Sequence, residues 1–193
     1  MINLRKAEIE ESEEILEFYQ DIISSTKDTE FKTKWSERYP NLEYIETGIE
    51  NQEFYVYREN EGILACLSLN NRFEPEYENV NWMIDAKPDE IIIIHAFAVS
   101  SNLAGKGIGK EIFNQIKENA LKSNKKTIRI DIIDGNTGAK KVFEKLGFEY
   151  VDTAEIFHKA AGLEKFHLYE YSQKKKKKRK TPITDCYRCK LFL

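Results

Sequence analysis

Three glycines spaced two positions apart, Gly105, Gly107 and Gly109, follow an apolar run and open a helical one, with Lys106 and Lys110 interleaved. Residues without a Cβ let the main chain bend sharply, so that several N–H groups converge on one point. A helix starting there adds about half a positive charge and up to four unpartnered N–H donors. The two lysines reinforce that sign. The chemistry this suits is the binding of an anion, a pyrophosphate above all. Each charge-assisted bond of this kind nets about 1.5–3 kcal/mol, and a plain connecting turn does not require three glycines.

Two familiar phosphate loops fail on spacing. A Walker A loop needs four residues between its glycines and then Lys with Ser or Thr, whereas Gly105 and Gly109 enclose three and Glu111 follows Lys110. A dinucleotide fingerprint needs a glycine where Lys110 stands and a helix directly off the strand.

Other reactive residue types are sparse. His95 lies in the strand ahead of the glycines, and an imidazole with an ordinary pKa of about 6.5 suits a base working near neutrality. By strand alternation it shares a face with Phe97, two residues on; its alternative role is packing. Glu90 and Asp85, at the start of that strand, compete for the part of base, and Glu53 is a remoter candidate. Cys66 sits in an apolar strand and reads as core. Cys186 and Cys189 make a single Cys-x-x-Cys with no histidine after it, half a tetrahedral zinc site, so no metal is expected.

The elements that must position these groups follow from periodicity. Residues 10–24 form an amphipathic helix, with Ile15, Leu16, Tyr19, Ile22 and Ile23 on one face. A second helical stretch is expected over 31–38, stopped by Pro40, and a third over 41–49. Ile2 to Arg5 alternate as an edge strand. Strands are expected at 54–58 and 63–70, joined as a hairpin, with a short one at 80–84 after a loop containing Pro75. The β-branched run Ile91 to Val99 reads as a buried central strand. A helix runs from the glycines to Leu121, a strand covers 127–133, and Asp134-Gly135-Asn136 turns into a helix closed by Gly147. Strands at 148–151 and 166–171 finish an α/β order that requires a right-handed crossover between 91 and 133.

The chain has 193 residues, 41% hydrophobic and 12% aromatic, enough for one domain with a sizeable core. No run approaches a membrane span and the N-terminus does not read as a signal peptide, so a cytoplasmic protein is expected, without membrane contact. The net charge of −3 hides an asymmetry: residues 173–193 hold nine basic residues against Asp185, a local +8, and the rest carries −11. An acidic body argues against nucleic acid; any polyanion contact belongs to this tail, whose lysine run reads as a solvated, disordered arm.

The glycine turn resembles the pyrophosphate loop of the GNAT superfamily of acyl-CoA-dependent N-acyltransferases, Arg/Gln-x-x-Gly-x-Gly/Ala. It falls on Ala104, Gly105, Lys106, Gly107, Ile108 and Gly109, with Ala104 in place of Arg or Gln. Asp131 to Phe148, with Gly-Asn-x-x-Ala-x-x-Val-Phe-Glu-Lys-Leu-Gly-Phe, resembles the family's second motif, and residues 77–82 and 168–170 resemble flanks seen in a bacterial subgroup. The likeness spans about residues 2–171. It implies a domain over 1–172 with a GNAT fold, a mixed central sheet of six to seven strands flanked by helices and splayed between the fourth and fifth strands. The tail 173–193 matches nothing in it.

What the resemblance implies for function is an acetyl-CoA-dependent N-acetyltransferase acting on a primary amine of a small molecule or protein. The alternative is a CoA-binding sensor or scaffold without strong turnover. Contacts to the cofactor fall on the backbone of Phe97, Ala98 and Val99, on Ala104 to Lys110, on Asn136, which also suits a helix N-cap, and on Phe143. Relatives usually offer the departing sulfur a tyrosine hydroxyl at that last position; Tyr150 or Tyr169 could replace it only if the fold brings them near. The acceptor cleft is expected at Arg72, Tyr77 and Trp82, aromatic walls with acidic neighbours that suit a cationic amine. A monomer or homodimer fits equally.

Overall fold

The computed structural model describes residues 2–59, 62–103, 105–158 and 162–173. Its elements run β1 (Arg5–Lys6), α1 (Ser12–Thr26), α2 (Leu42–Glu50), β2 (Phe54–Glu59), β3 (Gly62–Asn70), β4 (Ile91–Val99), α3 (Ile108–Lys122), β5 (Thr127–Ile133), α4 (Thr137–Leu146), β6 (Glu149–His158) and β7 (Gly162–Ser172). The helices start where side chains replace missing main-chain partners. Asn41 Oδ1 accepts from Tyr44 N at the head of α2, and Asn136 Oδ1 from Ala139 N at the head of α4. Gly147, at φ +96°, closes α4 in the left-handed conformation that glycine adopts cheaply.

The strands form one seven-stranded sheet in the order β1-β2-β3-β4-β5-β7-β6. All neighbours are antiparallel except β4 and β5, which pair in parallel only from Ile91↔Thr127 to Ile94↔Ile130. Beyond Ile94 the two strands part, and the second half of β4 is held by β3 alone. The expected splay between the fourth and fifth strands is thus present, in a sheet at the upper end of the expected strand number.

Two layers cover the sheet. On one face α3 and α4 bury Ile112, Phe113, Ile116 and Phe143 against Leu67, Ile94, Ile128, Ile130 and Tyr169. On the other, α1 and α2 bury Ile15, Phe18, Tyr19, Ile22, Ile45 and Ile49 against Phe54, Val56, Cys66, Ala96 and Ala98. The rest of that second face is covered by the irregular segment 71–90, whose Tyr77 packs on Ile91, Ile93, Ile156 and Leu168.

Two expected elements are absent. Residues 31–38 are not helical: they form turns with one isolated bridge, Ser36↔Tyr39, because Trp35 packs sideways onto Tyr19 instead of forming a helical stripe. Residues 80–84 are not a strand. Their polar groups find partners elsewhere, Trp82 Nε1–H on the Tyr77 carbonyl and Ile84 N–H on the Glu170 carboxylate. The last two strands are longer than expected. The basic tail and its cysteine pair lie outside the described residues, apart from Gln173.

Candidate active site

Gly105, Lys106 and Gly107, between β4 and α3, are exposed, as suits an anion site. Gly105 and Gly107 have φ of +76° and +82°, and a Cβ at either would meet nothing within 4 Å, so glycine is demanded there by conformation and not by space. The first bond of α3 beyond the turn runs from Glu111 N–H to the Gly107 carbonyl at 3.1 Å, which leaves the helix's opening amides for a ligand. Gly105, Gly107, Ile108, Gly109 and Lys110 line the mouth of a cleft of about 1740 Å³. That exceeds the roughly 300–1,000 Å³ of a typical small-molecule pocket and suits a long ligand or two ligands together. Lys106 is exposed at the same turn but does not line the cleft, and Ala104 lies outside the described residues.

The cleft continues down the gap between β4 and β5, where Phe97, Ala98 and Val99 form one wall. Here β4 is bulged. Ser68 pairs with His95 and Cys66 with Ala98, so Ala96 and Phe97 together oppose Leu67. Ala96 has φ +50°, a left-handed conformation that costs a residue with a Cβ roughly 1–2 kcal/mol. The extra residue reverses the alternation. His95 stays on the face of Ser68, toward α2, while Phe97 turns with Leu67 toward α3 and α4. The expectation that His95 and Phe97 share a face is corrected by this bulge; the two instead line opposite sides of one strand, and both reach the cleft.

His95 Nε2 lies 3.1 Å from Asn70 Oδ1. An oxygen there suits a ring N–H donor and orients the imidazole in the cleft. Asn70 is held in turn through its Oδ1 by Arg72 N–H and through its Nδ2 by Glu53, which pairs with the Arg72 guanidinium. One register step past the last pair of β4 and β5 stand His95 and Asp131, on the same face. Asp131 accepts from the Tyr77 hydroxyl. Burial, then the charges of Asp131 and Glu76, raise the Glu74 carboxyl above its ordinary range. Tyr39 and Tyr44, stacked edge to face at 4.8 Å, also line this part of the cleft, and burial pushes both phenols up.

Residues 27–41 wall the cleft on its outer side. The Glu30 carbonyl accepts from Gly138 N–H at 2.7 Å, and Lys141 and Glu164 pair with Glu30 and Lys34. The Phe31 ring sits where a Cβ on residue 138 would be, 2.7 Å from it, which explains a glycine in the first turn of α4.

Several candidates lie elsewhere. Glu90 is bound to Lys126 Nζ at 2.7 Å and to Lys87 N–H at the far end of β4, roughly 20 Å of strand from Phe97. Lys126 holds its carboxyl below the usual range, the wrong direction for a base. It is outside the cleft, as is exposed Asp85. Of the three acceptor-cleft candidates only Arg72 lines the cleft. Tyr77 and Trp82 are packing residues of the 71–90 cover, where Trp82 stacks under the Arg129 guanidinium, itself paired with buried Glu170 at 2.8 Å. Phe143 does line the cleft, buried between Phe97 and Phe148. Neither tyrosine considered as its replacement does: Tyr169 is fully buried against Glu144 with its phenol pushed up to about 12, and Tyr150 is exposed beside Thr153. Asn136, 9% exposed, caps α4 and borders the cleft, so both of its expected roles remain compatible.

Trp35, Tyr39, Tyr44, Glu74 and Asp131 were not anticipated as cleft residues. Only Asp131 carried a usable signal, its place just beyond the alternating isoleucines of β5. Among the described residues no group of three or more His, Cys, Asp or Glu side chains could hold a metal ion, and no helix is long and apolar enough to cross a membrane.

The sequence model of the Acetyltransferase (GNAT) family matches residues 14–148. A curated relative is the uncharacterized N-acetyltransferase YesJ of Bacillus subtilis, 24% identical over 126 residues. That alignment covers 65% of this chain and 64% of YesJ, so the chain spans less than two thirds of that relative's length. Among solved structures, a GNAT-family acetyltransferase from Streptococcus agalactiae superposes with a TM-score of 0.70 at 19% identity, covering 90% of this chain and 96% of that one. The structure of yncA from Salmonella typhimurium with its cofactor acetyl-CoA superposes at 0.63 with 15% identity, over 91% and 95% of the two chains. At these identities the superpositions establish the fold.

Proposed function

The chain belongs to the GNAT acetyltransferase family, and from that premise we propose that it moves the acetyl group of acetyl-CoA to a primary amine of a small molecule or protein. The observation that carries this reading is one cleft joining the exposed glycine turn to His95 along β4. The glycine turn, Lys110 and Asn136 fit a pyrophosphate and its arm: open amides at a helix start, a lysine at the cleft, and an asparagine with N–H donors beyond its capping oxygen. Acetyl-CoA supplies an activated acyl group and a thiolate able to leave near neutral pH.

The chain's own residues then have three tasks. The backbone of Phe97 to Val99, freed from β5 by the splay, offers N–H groups to polarise the thioester carbonyl. The His95 imidazole takes the proton that the attacking amine must lose, directly or through water. Glu74, Glu76 and Asp131 give the acceptor side an acidic lining that favours a cationic amine. Direct attack is supported by the state of Cys66, the one thiol among the described residues, which is buried with its pKa pushed well up and so is no acyl carrier. The amine nitrogen bonds to the carbonyl carbon, the carbon–sulfur bond breaks, and the sulfur leaves as thiolate.

The test is free-thiol release on incubating the protein with acetyl-CoA and a panel of amines. Release with at least one amine is expected, and none with any amine would overturn the reading. His95→Gln should lower kcat roughly a hundredfold while leaving CoA affinity unchanged. The second reading, a CoA-binding module without turnover, draws on the hydrophobic setting of Phe143. A marked gain in rate in Phe143→Tyr would show that a missing proton donor limits this chain; an unchanged rate would show it does not.

A further inference from the structure

The bulge in β4 leaves one main-chain group to be explained. Ala96 stands at the point where the ladder to β5 has ended and the ladder to β3 skips a step, so its carbonyl has no regular place in the sheet. A buried carbonyl needs a donor. It finds one outside the sheet: the Tyr19 hydroxyl donates to Ala96 O at 2.6 Å. Tyr19 is fully buried on α1, its ring set edge-on against Phe18, Trp35 and Phe54 at centroid distances of 5.7, 5.5 and 6.3 Å. Three aromatic neighbours fix the ring, and the fixed ring aims the hydroxyl.

We propose that Tyr19 is a positioning residue, whose hydroxyl holds Ala96 in its left-handed conformation and so sets the direction of the Phe97–Val99 backbone in the cleft. Ala96 at φ +50° does not adopt that conformation by preference. Without the hydroxyl its carbonyl is buried unpartnered, and β4 gains by straightening toward regular pairing with β3. That change rotates the amides from 97 onward while leaving the glycine turn, anchored by α3, where it is. The kinetic consequence rests on the acetyl-transfer reading; the structural one does not.

Tyr19→Phe keeps the ring and removes the bond. The expected result is a fall in kcat of roughly ten- to a hundredfold, because the acyl carbonyl is misaligned, with KM for acetyl-CoA and calorimetric affinity for CoA within about threefold of the parent. Amide hydrogen exchange at Phe97 and Ala98 should accelerate about tenfold or more. Adding Ala96→Gly, which accepts φ +50° without a clamp, should return both kcat and exchange to near the parent values. As a variant that keeps the Tyr19 hydroxyl, Ala96→Val disfavours the left-handed conformation directly and should reproduce the kcat loss.

Unchanged kcat and exchange in Tyr19→Phe would overturn the proposal. So would a loss that Ala96→Gly fails to restore, or full activity in Ala96→Val. If the parent protein transfers no acetyl group to any amine, the functional reading fails by itself, and the exchange measurements on the same variants still decide the role of Tyr19.

Discussion

Asn136 carries two separable duties in one amide. Its Oδ1 accepts from Ala139 N–H at 3.0 Å and caps α4, while its Nδ2 is a donor at the border of the cleft. Aspartate caps as well as asparagine, yet it donates nothing and brings a negative charge toward a polyphosphate. Asn136→Asp should therefore keep its melting temperature and lose CoA affinity, whereas Asn136→Ala should also lose about 1 kcal/mol of stability. Thermal melts with calorimetry separate the two. Residue chemistry pointed to His95 and the glycines, and the family resemblance to Asn136, and all of them line the cleft. Glu90, Tyr77 and Trp82 lie outside it, because a carboxylate or an aromatic ring reads alike in sequence whether it faces a ligand, a lysine or the core. Only the observed partners, Lys126 for Glu90 and Arg129 for Trp82, decide between them.

At the scale of elements, the three glycines of the β4–α3 turn are not equivalent. Gly107, at φ +82°, cannot take a Cβ without strain, so Gly107→Ala should cost about 1–2 kcal/mol and weaken CoA binding together. Gly109 has a negative φ inside α3, and a Cβ there would make ordinary contact with Phe97 Cζ at 3.9 Å. Gly109→Ala should accordingly raise helix stability by up to about 1 kcal/mol, and any loss of CoA affinity would report the closeness of the ligand. Both are read by chemical unfolding and calorimetry. The strands β4 and β5 were legible to the residue, since runs of isoleucine with turn residues at both ends leave little choice. The bulge was not, because an added residue in one strand changes the facing of everything after it without leaving a mark in composition. The segment 31–38 misled for a related reason: its aromatic spacing serves the wall of a cleft and not a helical stripe.

For the whole molecule, the joint between the first helix and the β1–β2 edge of the sheet is ionic. Glu11, at the head of α1, accepts from Arg5 on β1 and Arg58 on β2, and those bonds, Arg5 first, hold its carboxyl down at about 2, below its ordinary 4.5. A carboxylate depressed by folding stabilises the protein fully above its unfolded pKa, and that contribution is lost as pH falls from about 4.5 toward 2. Glu11→Gln should cost about 2 kcal/mol at neutral pH, the lower end for charged bonds because both arginines are partly exposed, and should flatten the acid limb of the stability curve. Urea unfolding at pH 3 and pH 6 measures the difference.

The sheet itself has two unequal margins. One is a strand of two residues; the other is β6, along which Glu149, Asp152 and Glu155 stand exposed. A second molecule arriving there to extend the ladder would meet its own charge at neutral pH, so this row of carboxylates keeps the open margin from seeding aggregates. Replacing Glu149, Asp152 and Glu155 by their amides removes that repulsion, and light scattering should show the triple variant aggregating through this strand while its core stays folded.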